Sequence, residues 1–403
     1  MRASQVLQKC LPNSLSAMHV LRMRALLSAV QALIVGRRLT LTDIARAWPG
    51  AERVRAPLKA FDRLLGNRHL HGERGAIEAD MARWLLRGPQ PVILIDWSDL
   101  KPDKSWCLLR AAVPVGGRTL TLLDTIVRGK EQGSAEAERH FLQQLRKLIP
   151  EGVTPILVTD AGFRTLGFAR FLRWAGTGWG VCVEQRASNF RRPPTARNTG
   201  MTAAPCTPEP GPCHASSRQR WSTAARRWPA AWWCVPKRVR AAKSTRRTPQ
   251  QASRSAVSLK AAAREREPWL IVAAPELSQA SARQLVNLYA RRMQIELAFR
   301  DLKSHRYGHA LEDSLTRQGP RLQILLLIST LATFVSWLAG LVCEAADIAH
   351  WLWPSKSTRK RYSTPRVGRE ALVRGWPLGP PARWLDLLRS PPEKALHQMT
   401  LLP

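Results

Sequence analysis

Acid is scarce in this sequence beside base. In 403 residues it holds 29 Asp and Glu against 63 Lys and Arg, a formal net charge of +34. Such an imbalance opposes self-association and suits a polyanion, because each Lys or Arg laid on a phosphate releases counterions. A ribosomal or membrane-surface protein would carry the same charge, so the charge narrows the partner and leaves the chemistry open. Cysteine is also sparse and scattered: Cys10, Cys107, Cys182, Cys206, Cys213, Cys234 and Cys343. None forms a C-x2-C pair or a Cys/His group with zinc spacing, and the odd count fits a reducing cytosol. The opening stretch, Met1 to Ser14, lacks the apolar centre of a signal peptide, so a cytoplasmic chain is expected. Long apolar runs are nearly absent. The one exception, Leu322 to Ile348, has the length of a membrane span. It carries Gln323, Ser329, Thr330, Thr333 and Ser336, and reads instead as a buried helix of a chain with no membrane partner.

What is present is a globular composition, 45% apolar, in a chain long enough for two or three domains. Residues 1–85 read as helices. Ala25 to Val35 is apolar, Thr42 is placed to cap a short helix, and Pro49-Gly50 ends it. A second helix, Arg55 to Leu65, sets Arg55, Lys59 and Arg63 on one face. Two short helices with a tight break and a basic second helix fit a helix-turn-helix-like DNA reader, and equally an ordinary bundle with a solvated basic face.

Near residue 90 the period changes. Pro91 to Asp96 is a short apolar run ending in an acid, and Trp106 to Val115 and Arg118 to Val127 read as strands joined at Gly116-Gly117. Ser134 caps an amphipathic helix to Ile149, with Phe141, Leu142, Leu145 and Leu148 on one face. Pro155 to Asp160 is a second buried strand ending in Asp. A helix over Phe163 to Ala175 and a strand over Trp179 to Glu184 follow. This order is α/β with a mixed sheet. Order resumes with a strand at Glu267 to Val272 and one long helix from Ser278 through Ser304, and the C-terminal third is helical.

Two strand-end carboxylates, Asp96 and Asp160, are the first chemical signal, because strand ends in an α/β sheet gather side chains at one edge. Carboxylates that close repel unless one is protonated or a divalent cation lies between them. Each could also merely begin a turn. On the long helix, Tyr289, Arg292, Glu296 and Lys303 fall on one face. That row is either a solvated salt-bridge stripe or a third metal carboxylate flanked by phosphate contacts. Asp99 and Asp301 are nearby decoys, the first past the strand end and the second off the Glu296 face.

The Tyr-x2-Arg-x3-Glu-x6-Lys pattern, with Asp96 in ILIDWSD and Asp160 in LVTDAGF, resembles the DDE transposases of bacterial insertion sequences. Within them it is similar to the IS-four family, in the group of the tetracycline-resistance composite transposon. DRLLGNRHLH, RMQIELAFRDLKS and EPWLIVAAP extend the likeness over most of residues 15–185 and 265–380. The resemblance implies an RNase H-like core with a helical N-terminal domain that binds terminal inverted repeats. It implies that Asp96, Asp160 and Glu296 bind two divalent ions, Mg²⁺ with Mn²⁺ as a substitute. It also implies that Tyr289, Arg292 and Lys303 hold phosphates of the element's end. The partners implied are double-stranded DNA, both transposon ends and target, and a second copy that pairs two ends. The implied reaction is nicking, hairpin formation, hairpin opening and strand transfer.

The expected division is a DNA-end-binding domain (1–85), the core in two parts (86–185 and 267–315), an insertion (186–266) and a helical C-terminal region (316–403). The insertion departs from the family, whose relatives are β-rich there. From Arg186 to Lys260 there is no Ile, Tyr or Asp, and sixteen Lys and Arg stand against one acid, Glu209. Such composition is what a GC-rich gene yields out of frame, by compensating shifts soon after Glu184 and before Glu265. That would make this copy an inactive relic that still binds DNA. A disordered basic arm is the other reading, and a host nuclease with the same core is a third for the whole chain.

Overall fold

The computed structural model describes residues 2–160, 163, 180–185, 231–235, 269–277, 279–306, 308–354 and 360–401. The chain divides into two compact units. The first comprises Met1–Ile156, Arg164–Thr177 and Arg291–Pro403, the second Leu157–Phe163 and Gly178–Ala290.

The first unit opens with helices α1 (Arg2–Cys10), α2 (Pro12–Ser16), α3 (Val20–Gly36), α4 (Leu41–Arg46), α5 (Arg55–Leu65) and α6 (Arg68–Leu85). Short polar side chains start several of them by accepting from backbone N–H groups that the first turn leaves unpaired. Thr40 accepts from Asp43 N at 3.1 Å and Asn67 from Leu70 N at 3.1 Å. The cap of α4 is thus Thr40, not the expected Thr42. Thr40 is extended (φ −92°, ψ 151°), whereas Thr42 already lies inside the helix. The α5 helix has the expected bounds, burying Phe61, Leu64 and Leu65 and leaving Arg55, Lys59 and Arg63 exposed.

Strands β1 (Val92–Asp99), β2 (Trp106–Pro114) and β3 (Thr119–Arg128) form an antiparallel meander in the order β3-β2-β1. Gly116 (φ 85°) and Gly117 (φ 87°) make the β2–β3 turn in the left-handed region that glycine adopts without a Cβ clash. A bulge between Ala111 and Ala112 shifts the β2–β3 register by one residue. Ser134 caps α7 (Ala135–Leu148), which buries Phe141, Leu142 and Leu145.

Helices α9 (Met293–Lys303), α10 (Gly319–Ala345), α11 (Thr364–Val373), α12 (Pro381–Arg389) and α13 (Glu393–Met399) complete this unit. The membrane-length run is α10, whose apolar residues are buried on all sides as a core helix. It crosses α11 backbone to backbone. A Cβ on Gly340 would stand 2.0 Å from Thr364 O, and one on Gly368 would stand 1.8 Å from Ser336 O.

In the second unit, strands β4 (Ile156–Thr159, beginning at the unit boundary), β5 (Gly180–Gln185), β6 (Ala231–Val235) and β7 (Trp269–Ala273) lie in the order β4-β5-β7-β6. β7 pairs antiparallel with both β5 and β6. β6 comes from the stretch in which no period is legible, although Trp and Val favour strands. Helix α8 (Ala282–Ala290) follows, with Ser281 and Gln284 as a reciprocal cap: Ser281 N donates to Gln284 Oε1 at 2.8 Å and Gln284 N to Ser281 Oγ at 3.3 Å. The helix expected over Phe163 to Ala175 and nearly all of the Arg186 to Lys260 stretch lie outside the described residues.

Candidate active site

The β1 strand is a run of Val, Ile and Leu buried between helices, and it carries one acid into that apolar setting. Asp96 is 8% exposed, with Oδ1 accepting from Trp97 N at 2.8 Å. It is not at the strand end, as its position after the apolar run suggests. Pairing with β2 continues through Trp97↔Leu109, Ser98↔Leu108 and Asp99↔Cys107. Polar residues prolong the strand because backbone pairing, not apolar content, defines its length. Asp99 is therefore the last residue of the strand. Its carbonyl accepts from Lys303 Nζ at 3.3 Å, and its carboxylate lies 3.3 Å from Cys107 Sγ. Burial, with that carboxylate beside it, pushes the Cys107 thiol up to about 11.

Directly across the strands, Asp96 opposes Arg110 and Arg110 opposes Asp124. Opposed residues share one face of the sheet. Arg110 turns to Asp124, donating from Nε and Nη2 at 2.7 Å each, with its guanidinium 5.5 Å from the Phe299 ring centre. This buried bidentate pair leaves the Asp96 end of the row to a cation from elsewhere.

That cation is Arg292. The long helix expected over Ser278 to Ser304 comes as two, α8 and α9, with a turn at Arg291-Arg292 between them. The turn is held by Arg291, whose buried guanidinium donates to Gln398 O at 3.0 Å and Thr400 O at 2.8 Å. Helical bonding restarts with Gln294 N and Ile295 N donating to Arg291 O and Arg292 O. Tyr289 is consequently the penultimate residue of α8, 2% exposed, and helical spacing no longer sets it on the Glu296 face. Arg292, Glu296 and Lys303 do keep one face, with Arg292 as the N-cap of α9.

From that cap Arg292 Nη1 donates to Asp96 Oδ2 at 3.3 Å, and Nη2 lies 2.7 Å from Glu296 Oε1. Arg292 and Asp96 are 196 residues apart in sequence. One guanidinium thus bridges carboxylates from β1 and α9. Gln294 fixes the same helix end: its Oε1 accepts from Gly116 N at 3.1 Å and Gly117 N at 3.0 Å, tying the hairpin tip to α9. Arg118 binds Asp301 on the far side of α9, so Asp301 is off the Glu296 face as expected. Sequence reasoning missed Arg110, Arg291 and Gln294, whose roles depend on partners distant in the chain.

Asp160 follows β4 in the second unit and is half-buried, and Tyr289 belongs to that unit as well. The site residues brought together are Asp96, Arg292 and Glu296, with Lys303 at the end of β1. Among the described residues no three His, Cys, Asp or Glu form a metal-binding group. The donor set still suits a hard divalent ion. Asp96 and Glu296 offer carboxylate oxygens alone and already flank one positive group.

Residues 87–333 match the family model described as transposase DDE domain. No curated protein matches the chain. Among solved structures it is similar to a piggyBac transposase synaptic complex with hairpin DNA, seen by cryo-electron microscopy. That match has 11% identity, covers 97% of this chain and 83% of the other, and has a TM-score of 0.44.

Proposed function

The chain belongs to the transposase DDE domain family, metal-dependent transposases with an RNase H-like mixed α/β fold, and on that premise we propose that it is a cut-and-paste DNA transposase of the bacterial IS-four type. It binds terminal inverted repeats, cleaves them through a hairpin and joins them to target DNA, as a dimer pairing two ends in the bacterial cytoplasm. The observation that carries this reading is the meeting of Asp96 and Glu296 on one guanidinium. Carboxylates so distant in sequence have no local reason to share a cation, and the same acids anchor the resemblance.

In this reading Asp96, Asp160 and Glu296 hold two divalent ions, Mg²⁺ or Mn²⁺. Such ions polarise the scissile phosphate and stabilise the attacking and leaving oxygens of an in-line displacement. Asp96 is held by Trp97 N and by burial, so its carboxylate is oriented before any ion arrives. Arg292 exchanges its carboxylate partners for a phosphate of the bound end. Lys303, resting on the Asp99 carbonyl, grips a neighbouring phosphate. Both keep their charge and donate to phosphate oxygens. Tyr289 is assigned to the same DNA end. The exposed row Arg55, Lys59 and Arg63 on α5 follows the backbone of the repeat.

The test is cleavage of a plasmid carrying the element's own ends, with Mg²⁺ or with EDTA, by the wild type and Asp96→Ala. Cutting at the ends that requires both metal and Asp96 is expected. End binding without cutting would leave a DNA-binding relic, and loss of both would refute the reading.

A further inference from the structure

Away from the carboxylates, the first unit holds a cavity of about 110 Å³ lined by elements of β3, α9, α10 and α11. A water needs roughly 10–15 Å³ of such space, so there is room for several waters or one tetrahedral oxyanion. Its walls are rich in arginine; Arg110 is paired with Asp124, and Arg118 with Asp301, which Arg300 reaches as well.

The α11 side is not matched. Arg37, Arg366 and Arg369 line the cavity and all converge on Glu370, which Arg374 reaches as well. Arg37 Nη2 lies 2.7 Å from Glu370 Oε1, Arg366 Nε 3.4 Å from it, and Arg374 Nε 3.4 Å from Oε2, while Arg369 makes the closest approach. One carboxylate neutralises one guanidinium, so positive charge is left over in a partly buried place. A further observation points into the same space. The hydroxyl of Thr119, a residue 3% exposed, is buried without a hydrogen-bond partner, and the buried Nε of Arg366 has only its 3.4 Å ion-pair contact with Glu370; both residues line the cavity. Buried polar groups are nearly always hydrogen-bonded, so both call for a closer acceptor or donor. The local field agrees. Burial, then the charges of Arg369 and Arg110, push His309 down to about 4. Burial, then Arg37, lowers Arg369 to about 10. Ser363, the N-cap of the ten-residue helix α11, and Pro365 in its first turn line the same space, so a helix N-terminus borders the cavity.

We propose that this cavity is a phosphate-binding site, separate from the Asp96–Glu296 centre, in which Arg37, Arg366, Arg369 and Thr119 grip one phosphate group. The group is either a free phosphate or a backbone phosphate of DNA. Arg37, with 48% of its side chain exposed, is the arm at the mouth. The assignment does not depend on the cleavage reading.

The full chain is unfolded thermally in rising inorganic phosphate at constant ionic strength. In parallel, the salt dependence of its binding to a DNA duplex is measured. The variants are Arg37→Ala, Arg366→Ala and Arg366→Lys, with Arg389→Ala, an exposed arginine of α12, as control. A saturable rise in unfolding temperature is expected, lost in both cavity alanine variants, retained in part by Arg366→Lys and intact in the control. If the phosphate comes from DNA, the slope of log K against log salt falls by about one in each cavity alanine variant. It then stays unchanged in the control, and phosphate competes with the duplex. With a free-phosphate site the slopes of all variants match. Arg37→Ala alone decides the matter if Arg366→Ala fails to fold. No saturable phosphate effect together with equal slopes, or an effect equal in control and cavity variants, would overturn the proposal.

Discussion

Arginine and carboxylate meet in opposite proportion at two places in one unit. Where α9 begins, one guanidinium, that of Arg292, stands between the carboxylates of Asp96 and Glu296. Along α11, one carboxylate, that of Glu370, is shared by Arg37, Arg366, Arg369 and Arg374. Both are folded from the same residue types at similar distances, so neither type predicts the ligand. The surplus does: the first place is short of cations and the second of anions. In a chain of net charge +34, a local excess of acid is the rarer arrangement and the more informative one.

The largest effect expected is at the acidic place. Asp96→Asn keeps the shape and removes the charge, and cleavage of transposon ends should fall by at least ~10³-fold, about 4 kcal/mol of barrier, with end binding retained. Cleavage at near wild-type rate would show that the surplus acid there is not used. At the basic place Glu370→Gln takes the shared carboxylate from four arginines and should cost about 3 kcal/mol in urea unfolding, as for a broken buried pair. Added phosphate should restore much of that loss, and a loss that phosphate does not touch would break the comparison. Burial pushes the Glu370 carboxyl up, but Arg369, Arg366 and Arg37 together hold it below the usual range. Its contribution is therefore present above the ordinary glutamate pKa and lost as pH falls through the depressed one. Glu370→Gln should flatten that acid limb.

A one-to-one pair supplies the baseline. Glu78 lies 3.2 Å from Arg74, yet burial, with Asp124 adding to it, raises its carboxyl to about 7 against the opposing pull of Arg74. Folding then takes up a proton between the ordinary glutamate pKa and about 7, so stability falls as pH rises through that window. Glu78→Gln should remove this slope, worth roughly 3 kcal/mol at pH 8. An unchanged slope would mean that Arg74 cancels the burial. The smallest effect is at the bridge itself. Arg292→Gln should tighten Mn²⁺ binding to the DNA-free protein several-fold, about 1 kcal/mol, by freeing the two carboxylates. Weaker binding would show that Arg292 positions the acids rather than competing for them.

Much of this was legible because period and caps are local. The α5 bounds, the glycine turn and the Ser134 cap follow from residues within a few positions of one another. The pairing of Arg110 with Asp124 does not. Counting back from the Gly116-Gly117 turn sets Arg110 opposite Leu123 and turns Asp124 to the other face. The bulge at Ala111/Ala112 restores it, and nothing in the composition announces that bulge. The break before α9 was hidden for a similar reason. Helical spacing runs unbroken through the text, and the interruption is imposed by Arg291 reaching carbonyls of the last few residues. Asp96, Glu296 and their motif were readable, whereas the Glu370 cluster draws Arg37 from just past the end of α3, 333 residues earlier.

The crossing of α10 and α11 carries a consequence for variation. Arg366, Arg369, Glu370 and Arg374 ride on a helix seated backbone to backbone at Gly368 and Gly340. A methyl group at either glycine must lift α11 and carry all four charges with it. Neither glycine bears a functional atom, yet a mutational scan would find them as intolerant as the arginines. The address of the charge cluster is written in two absent side chains.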